Sequence, residues 1–150
     1  MDKLDIVTDE SGNKVVLLPE IIFSNKQNIN WDDVEDYLGK YVGELIEIAE
    51  TRDIIYIGNK FPDEYGGSSY TRKTKGARAK AKANAAQGIR EMVEIATDKV
   101  YRENHKEKHS EDAHNGWFYY VTRFAIPLYD NEKKTGEYNV YSACLVVNHA

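Results

Sequence analysis

The sequence predicts an α+β fold in which helices pack on one face of an antiparallel sheet. Two long extended runs, residues 117–128 and 138–149, lie close together near the end of the chain and are expected to pair as a hairpin. A single apolar stripe at helical spacing covers residues 75–97. The predicted sheet therefore centres on the hairpin, and the long helix is expected to cover it.

The composition is that of a globular chain, and residues 1–150 are expected to form one domain. The eleven tyrosines suit half-buried sheet positions, where the ring packs and the hydroxyl finds a partner. The net charge of -5 argues against general affinity for nucleic acids or membranes, but it allows a local basic patch. Cys144 lies in an apolar run and is expected to be a buried, inert thiol. With no signal peptide and no apolar run near the ~20 residues of a membrane span, a cytoplasmic setting is expected.

The chain is predicted to consist of a short leading segment followed by an α+β body. Residues 1–30 look irregular or β-rich, and residues 31–150 form the body. Asn30 is expected to cap a helix that begins at Trp31. Residues 44–50 either continue that helix or form a strand that turns at 51–53 into a second strand, 54–58. The hairpin is the favoured alternative.

The second half contains several breaker signals. Residues 61–69 and 130–136 are expected to be loops, and residues 99–113 to be helical or irregular. Pro127 cannot donate to a β-ladder, so the first strand of the long hairpin is expected to fray or lie at an edge there. The sheet is also expected to lack a final strand after Ala150.

A run of basic residues precedes and enters the predicted long helix, with no acidic residue between Thr71 and Asn84. Three of its members would share one helix face at 100° per residue, and that face could bind a phosphate backbone. The alternative is an ordinary solvated helix face. The six residues of the run are Arg72, Lys73, Lys75, Arg78, Lys80 and Lys82. The three that would share one helix face are Lys75, Arg78 and Lys82.

Histidines concentrate in the charged segment before the aromatic strand. His105 and His109 have the i, i+4 spacing of a metal pair, but no glutamate follows the first and no cysteine cluster supports them. We therefore expect no metal site and no cofactor. His114 stands at the start of the strand, where it could exchange a proton with a ribose hydroxyl or a leaving group. The alternative is a surface histidine in a turn.

One face of the long hairpin could carry chemistry. Tyr119, Arg123, Tyr141 and His149 are expected to share an open face. Cleavage of RNA without a metal needs a base for the 2′-hydroxyl, a cation for the phosphorane and an acid for the leaving oxygen. Alternatively, Arg123 pairs across the hairpin with an acid such as Glu137 or Asp130.

Three short sequence segments, residues 53–58, 61–65 and 79–85, resemble segments of uncharacterised bacterial proteins from phages and mobile elements. In plan, residues 40–150 are similar to the nuclease-like domains of the barnase–EndoU–colicin–RelE group, which occur in polymorphic toxins and large polyvalent phage proteins. The resemblance implies RNA cleavage without a metal by a few polar residues on the sheet face and the nearby helix. The positions that correspond are His114, Arg123, Tyr141 and His149.

Two functional hypotheses follow. In the first, the chain is a nuclease-like domain that acts on RNA, with Arg72, Lys73, Lys75, Arg78, Lys82 and Tyr119 binding the nucleic acid. In the second, it is a catalytically inert protein-binding or inhibitor module with an acidic, tyrosine-rich surface. The acidic cluster of Asp32, Asp33, Glu35 and Asp36 fits the second hypothesis. The expected partners are thus RNA or a protein, and no membrane.

Overall fold

The computed structural model of the chain describes residues 3–24, 29–67, 76–103 and 116–148. It confirms the α+β class. The main sheet contains β1 (Ile6–Thr8), β2 (Lys14–Leu17), β5 (Thr97–Arg102), β6 (Trp117–Asp130) and β7 (Lys133–Asn148), and β3 (Leu45–Glu47) and β4 (Ile54–Tyr56) form a small second sheet. The α-helices are α1 (Trp31–Leu38), α2 (Phe61–Gly67), α3 (Ala77–Asn84) and α4 (Ile89–Glu94), with 3₁₀ turns at Gly39–Tyr41 and Ala85–Gly88.

Strand β6 is the centre of the main sheet. Strand β7 pairs with it antiparallel along one edge, and β5 pairs antiparallel with the first half of the other edge. Strand β2 follows β5 on that edge and runs parallel to β6, with Val16 beside Phe124. The sheet is therefore antiparallel around the long hairpin, as predicted, and mixed as a whole because of β2. Strand β2 brings the beginning of the chain into the sheet, and β1 pairs with β2.

The predicted hairpin of β6 and β7 is confirmed, but its turn is tighter than expected. Asn131 and Glu132 both have positive φ, 50° and 67°, as a two-residue type I′ hairpin turn requires. The expected loop over 130–136 is therefore mostly strand. Pro127 pairs with Tyr138 inside the ladder, and the register shifts directly after it. The strand does not fray there. Among the described residues β2 pairs with β6 only as far as Ala125, so Pro127 lies where the other side of β6 is an edge, which is the second expected alternative.

The capped helix and the short hairpin are as the sequence indicated. The Asn30 side chain accepts hydrogen bonds from the Asp32 and Asp33 amides at 3.1 and 3.4 Å. Strands β3 and β4 pair antiparallel, and Arg52 turns the chain between them with φ of 67°. The favoured hairpin over residues 44–58 is thus confirmed against the helical alternative.

Two of the expected irregular segments are regular. The expected loop at 61–69 begins as α2, because Pro62 lies in the first turn, where a missing amide hydrogen leaves no intrahelical bond unmade. The carboxylates of Asp63 and Glu64 in the same turn interact favourably with the positive end of the helix dipole and so stabilise the helix. The start of the segment expected to be helical or irregular, residues 99–102, belongs to β5.

The predicted long helix is divided in two. Helix α3 passes through the 3₁₀ turn at Ala85–Gly88 into α4, which ends at Glu94. Gly88 lies against the β2 side of the sheet, where a Cβ would stand 3.2 Å from Leu18 and 3.3 Å from Leu4 and Val16. The glycine therefore allows the close approach between the helical layer and the sheet.

The helices cover one face of the main sheet, which we call the core face. Even-numbered residues of β6 point into it, including Tyr120 and Phe124. The buried Asn84 amide in α3 accepts hydrogen bonds from two backbone amides and donates two to backbone carbonyls, so it fixes the segment after β2 against α3. The opposite side of the sheet is where the predicted site residues of β6 lie.

Candidate nucleic-acid interface

The side of the main sheet opposite the helices carries the odd-numbered residues of β6, and we call it the outer face. Ladder register decides which side chains from the neighbouring strands join it, because residues directly opposite each other point to the same side. Its members in the first half of β6 and beside it are Trp117, Tyr119, Val121, Arg123, Thr97, Val100, Arg102, Ser142, Cys144, Val146 and Asn148. Cys144 is exposed on this face, so the expectation of a buried thiol is wrong.

Tyr119 is the centre of this face. Val100 of β5 lies opposite it on one side and Val146 of β7 on the other, and both valines are about half exposed. The guanidinium carbon of Arg102 stands 5.5 Å from the centroid of the Tyr119 ring, within the range of a cation–π contact. A flat aromatic ring is therefore bordered by apolar side chains and approached by one cation.

Arg102 is a site residue that the sequence interpretation missed. It lies in a segment that was expected to be helical or irregular, and residues 99–102 show no apolar–polar alternation that would have marked a strand. In the ladder Arg102 is opposite Trp117, whereas Tyr101 is opposite Phe118 on the core side. Its place beside the aromatic residues of β6 follows from the pairing of β5 with β6, which no local pattern gives.

Arg123 lies farther along β6, half-buried and opposite Ser142. Within the described ranges no carboxylate pairs with it, so neither Glu137 nor Asp130 is the partner that the alternative interpretation required. From Trp117, which marks the level of Arg102, to Arg123 is six residues, or about 20 Å at ~3.3 Å per residue. The two arginines, one on β5 and the other on β6, are therefore anchored at separate levels of the sheet.

The outer face differs from the predicted one at Tyr141. Tyr141 lies opposite Phe124, on the core face, where the two rings stack at 5.5 Å with an interplanar angle of 19°. It cannot share an open face with Arg123, and that part of the prediction is wrong. Ala125 is fully buried, because its short side chain lies between β2 and β7. His114 and His149 lie outside the described residues.

The basic run does not extend the outer face. Helix α3, which carries Arg78 and Lys82, packs through its alanines on the core face. The Lys82 ammonium stands 5.0 Å from the centroid of the Tyr65 ring, and burial lowers its pKa. Arg123 and this helix therefore do not line one groove. Arg72, Lys73 and Lys75 lie outside the described part of the chain.

A second polar cluster joins the short hairpin to the main sheet. The Asp53 carboxylate accepts hydrogen bonds from Tyr120 at 2.6 Å and Thr51 at 2.7 Å, and its oxygen is 2.8 Å from the Lys99 ammonium. These contacts, led by that of Lys99, lower the pKa of Asp53 to about 2. Burial, followed by the bond to Asp53, raises the pKa of Tyr120. The donors and the acceptor of this cluster are paired with one another, so the cluster holds the short hairpin in place on the main sheet.

The short hairpin leaves an apolar surface uncovered. Leu45, Ile54 and Tyr56 share the side of the β3–β4 pair that faces away from the core, and they are 64%, 57% and 63% exposed. Ile46 and Ile55, on the other side, are buried. A contiguous exposed group of this kind is more typical of a contact surface than isolated apolar residues are.

Comparisons with known protein families, with curated proteins and with solved structures found no match to this chain. The resemblance to nuclease-like domains of phages and mobile elements therefore stays a prediction. In the parts of the chain that the structure describes, no group of His, Cys, Asp and Glu residues has the arrangement of a metal site. None of the helices in those parts is long and apolar enough to span a membrane.

Proposed function

We propose that this chain is a nuclease-like domain that acts on RNA, and that RNA lies along the outer face of the main sheet. The observation that carries the proposal is the pair of arginines, Arg102 and Arg123, on an aromatic surface with no acidic residue among its described members. The protein as a whole has a net charge of -5, so this surface is locally opposite in sign. A polyanion would therefore meet attraction here and general repulsion elsewhere.

Arginine suits this role for geometric reasons. Its planar guanidinium presents several N–H donors in a fixed fork that matches the oxygens of a phosphate. Because Arg123 has no carboxylate partner in the described ranges, its donors can bind a phosphate without first breaking an ion pair. The half-buried position also limits screening by water, which strengthens a charge-assisted hydrogen bond.

In the proposed reaction a base removes the proton of the ribose 2′-hydroxyl, and its oxygen attacks the adjacent phosphorus. An acid protonates the departing 5′-oxygen, which leaves a 2′,3′-cyclic phosphate and a free 5′-hydroxyl. Arg123 would stabilise the charge of the phosphorane. The acid and base roles belong in this proposal to His114 and His149, as the sequence indicated. DNA, which lacks the 2′-hydroxyl, would not be cut.

The test is incubation of end-labelled RNA with the protein in the presence of a chelator. Cleavage to cyclic phosphate ends is expected, and Arg123→Ala is expected to lower the rate by about 10²-fold or more. His114→Ala and His149→Ala are each expected to lower it by at least about 10²-fold. Arg78→Ala, on the opposite side of the sheet, should change it less than about twofold. Intact RNA with the wild-type protein would remove the catalytic part of the proposal.

A second candidate function, a protein-binding module, is favoured by the apolar surface of Leu45, Ile54 and Tyr56. The acidic first turn of α1 would supply charge for a basic partner. A photoreactive residue placed at Ile54 should then form one discrete adduct in cells, and Leu45→Glu should abolish it. The same probe at Glu10, in the turn between β1 and β2, is the control. Adducts of equal yield at both positions would count against this function.

A further inference from the structure

We infer that the outer face selects unpaired RNA and binds it by stacking a base on Tyr119 beneath Arg102. This inference rests on the proposed function and adds the class of RNA that the site accepts. Proteins that bind single strands combine cationic groups that follow the backbone with aromatic rings on which bases stack. The outer face has both, and it places the ring between the two cations along β6.

The gap between the Tyr119 ring and the Arg102 guanidinium is nearly wide enough to hold a base. Stacked groups lie about 3.5 Å apart, so a base between the ring and a guanidinium requires about 7 Å. The present distance is 5.5 Å, and a movement of the Arg102 side chain by about 1.5 Å would open the slot. Arg102 is exposed and has several rotatable bonds, so it can make that movement and then close over the base.

The surroundings of Tyr119 fit a base better than a phosphate. Val100 and Val146 border the ring on the two sides, so an anion placed over it would find apolar side chains there and no hydrogen-bond donor from either neighbour. Trp117, half-buried on the same face, is two residues away, or about 7 Å along the strand. The second aromatic ring is therefore in place for a neighbouring base.

A double helix cannot stack its bases on this surface. Its bases are already stacked on one another, so their faces are closed to a protein ring, and a protein reaches mainly phosphates, sugars and groove edges. A duplex would contact Arg102 and Arg123 alone, without the contribution of stacking. The site should therefore discriminate strongly between unpaired and paired RNA, and weakly between base sequences.

Tryptophan fluorescence gives a direct test, because the two tryptophans lie in different places. Trp31 is buried in the core, and Trp117 is on the outer face. Titration with a six-nucleotide RNA is expected to quench the Trp117 signal, and a duplex of the same sequence is expected to bind at least about tenfold more weakly. The assay uses the His149→Ala variant if the wild type cuts the RNA, with Trp117→Phe to assign the signal.

Substitutions then separate stacking from charge. Tyr119→Ala is expected to weaken binding of the single strand by about tenfold, from the usual magnitude of one base–aromatic stack, and Tyr119→Phe to leave it nearly unchanged. Tyr56→Ala, an exposed tyrosine on the other sheet, is the matched control and should have no effect. Arg102→Lys keeps the charge but lacks the flat guanidinium, so intermediate affinity is expected.

The outcomes distinguish this inference from the function on which it rests. Equal affinity for single strand and duplex, with no change in Tyr119→Ala, would overturn the stacking inference while RNA binding itself stands. Absence of binding to either RNA would overturn both. Preference for the single strand that is lost in Tyr119→Ala and kept in Tyr56→Ala would support the inference.

Discussion

Single side chains connect the parts of this fold, and Asp53 shows how. Its carboxylate lies in the turn of the short hairpin and holds Tyr120 of β6 and Lys99 of β5. The hairpin is therefore tied to the main sheet by one acceptor with two donors from that sheet. No local pattern in the sequence marks such a residue, because its partners are 46 and 67 positions away.

The first prediction concerns acid stability. The pKa of Asp53 falls from 3.8 to about 2 in the folded protein, so its contribution is fully present above about pH 4 and is lost as the pH falls towards 2. At pH 7 Asp53→Asn should lower the free energy of unfolding by about 1 kcal/mol, a value reduced for the carboxylate's partial exposure. Urea unfolding at pH 7, 4, 3 and 2 measures it, with Glu10→Gln as the control. A wild-type advantage that does not shrink with acid would contradict the prediction.

The second prediction concerns the buried amide of Asn84. Asn84→Ala removes the acceptor of two backbone amides and leaves buried polar groups without a partner, so a loss of about 3 kcal/mol is expected. Thermal or urea unfolding measures this loss. Lys80→Ala, one turn earlier on the exposed side of α3, should change stability by less than about 0.5 kcal/mol. Similar values for the two variants would show that the amide does not fix the segment after β2.

At the level of elements, position within an element decides what a breaker residue does. Pro62 was interpreted as part of a loop, yet it is compatible with the first turn of α2. Gly88 falls within the predicted long helix, and it lies where the chain passes from a 3₁₀ turn into α4 against β2. Proline and glycine thus mark the boundaries of helices and loops, but which kind of boundary forms depends on tertiary contacts that sequence periodicity does not show.

The third prediction uses two glycines in the helical layer. Gly88→Ala would place a methyl group 3.2 to 3.3 Å from Leu18, Leu4 and Val16, and it should lower stability by about 1–3 kcal/mol through overpacking. Gly39→Ala has open space and a helical φ of −55°, and it should raise stability by up to about 1 kcal/mol. Urea unfolding of both variants measures the difference. The same sign of change in both would contradict this explanation.

Register in the long hairpin determined how far the site could be predicted. The sequence identified both strands and the residues Tyr119 and Arg123, because alternation along one strand is a local property. It did not place Tyr141, since a change of one residue in pairing moves every side chain of a strand to the other face. Arg102 and the parallel pairing of β2 with β6 depend on contacts between distant segments, and those contacts are not written in any local period.

For the whole molecule, charge sets the expected conditions of RNA binding. The protein is acidic overall, and two arginines on the outer face would neutralise about two phosphates. The logarithm of the binding constant should then fall with the logarithm of salt concentration with a slope near −1.4, from about −0.7 per phosphate. Titrations between 50 and 200 mM salt measure the slope, and Arg123→Ala should halve it. A slope well beyond −3 would indicate that the basic run also contacts the RNA.

The parallel contact between β2 and β6 has a consequence for synthesis of the chain. Val16 and Phe124 are more than a hundred positions apart, so closing this contact requires a large loop to be ordered. During translation β2 leaves the ribosome long before its neighbour β6 has been made. The nascent hairpin of β1 and β2 must therefore wait without its permanent neighbour, and folding of the sheet should be slow.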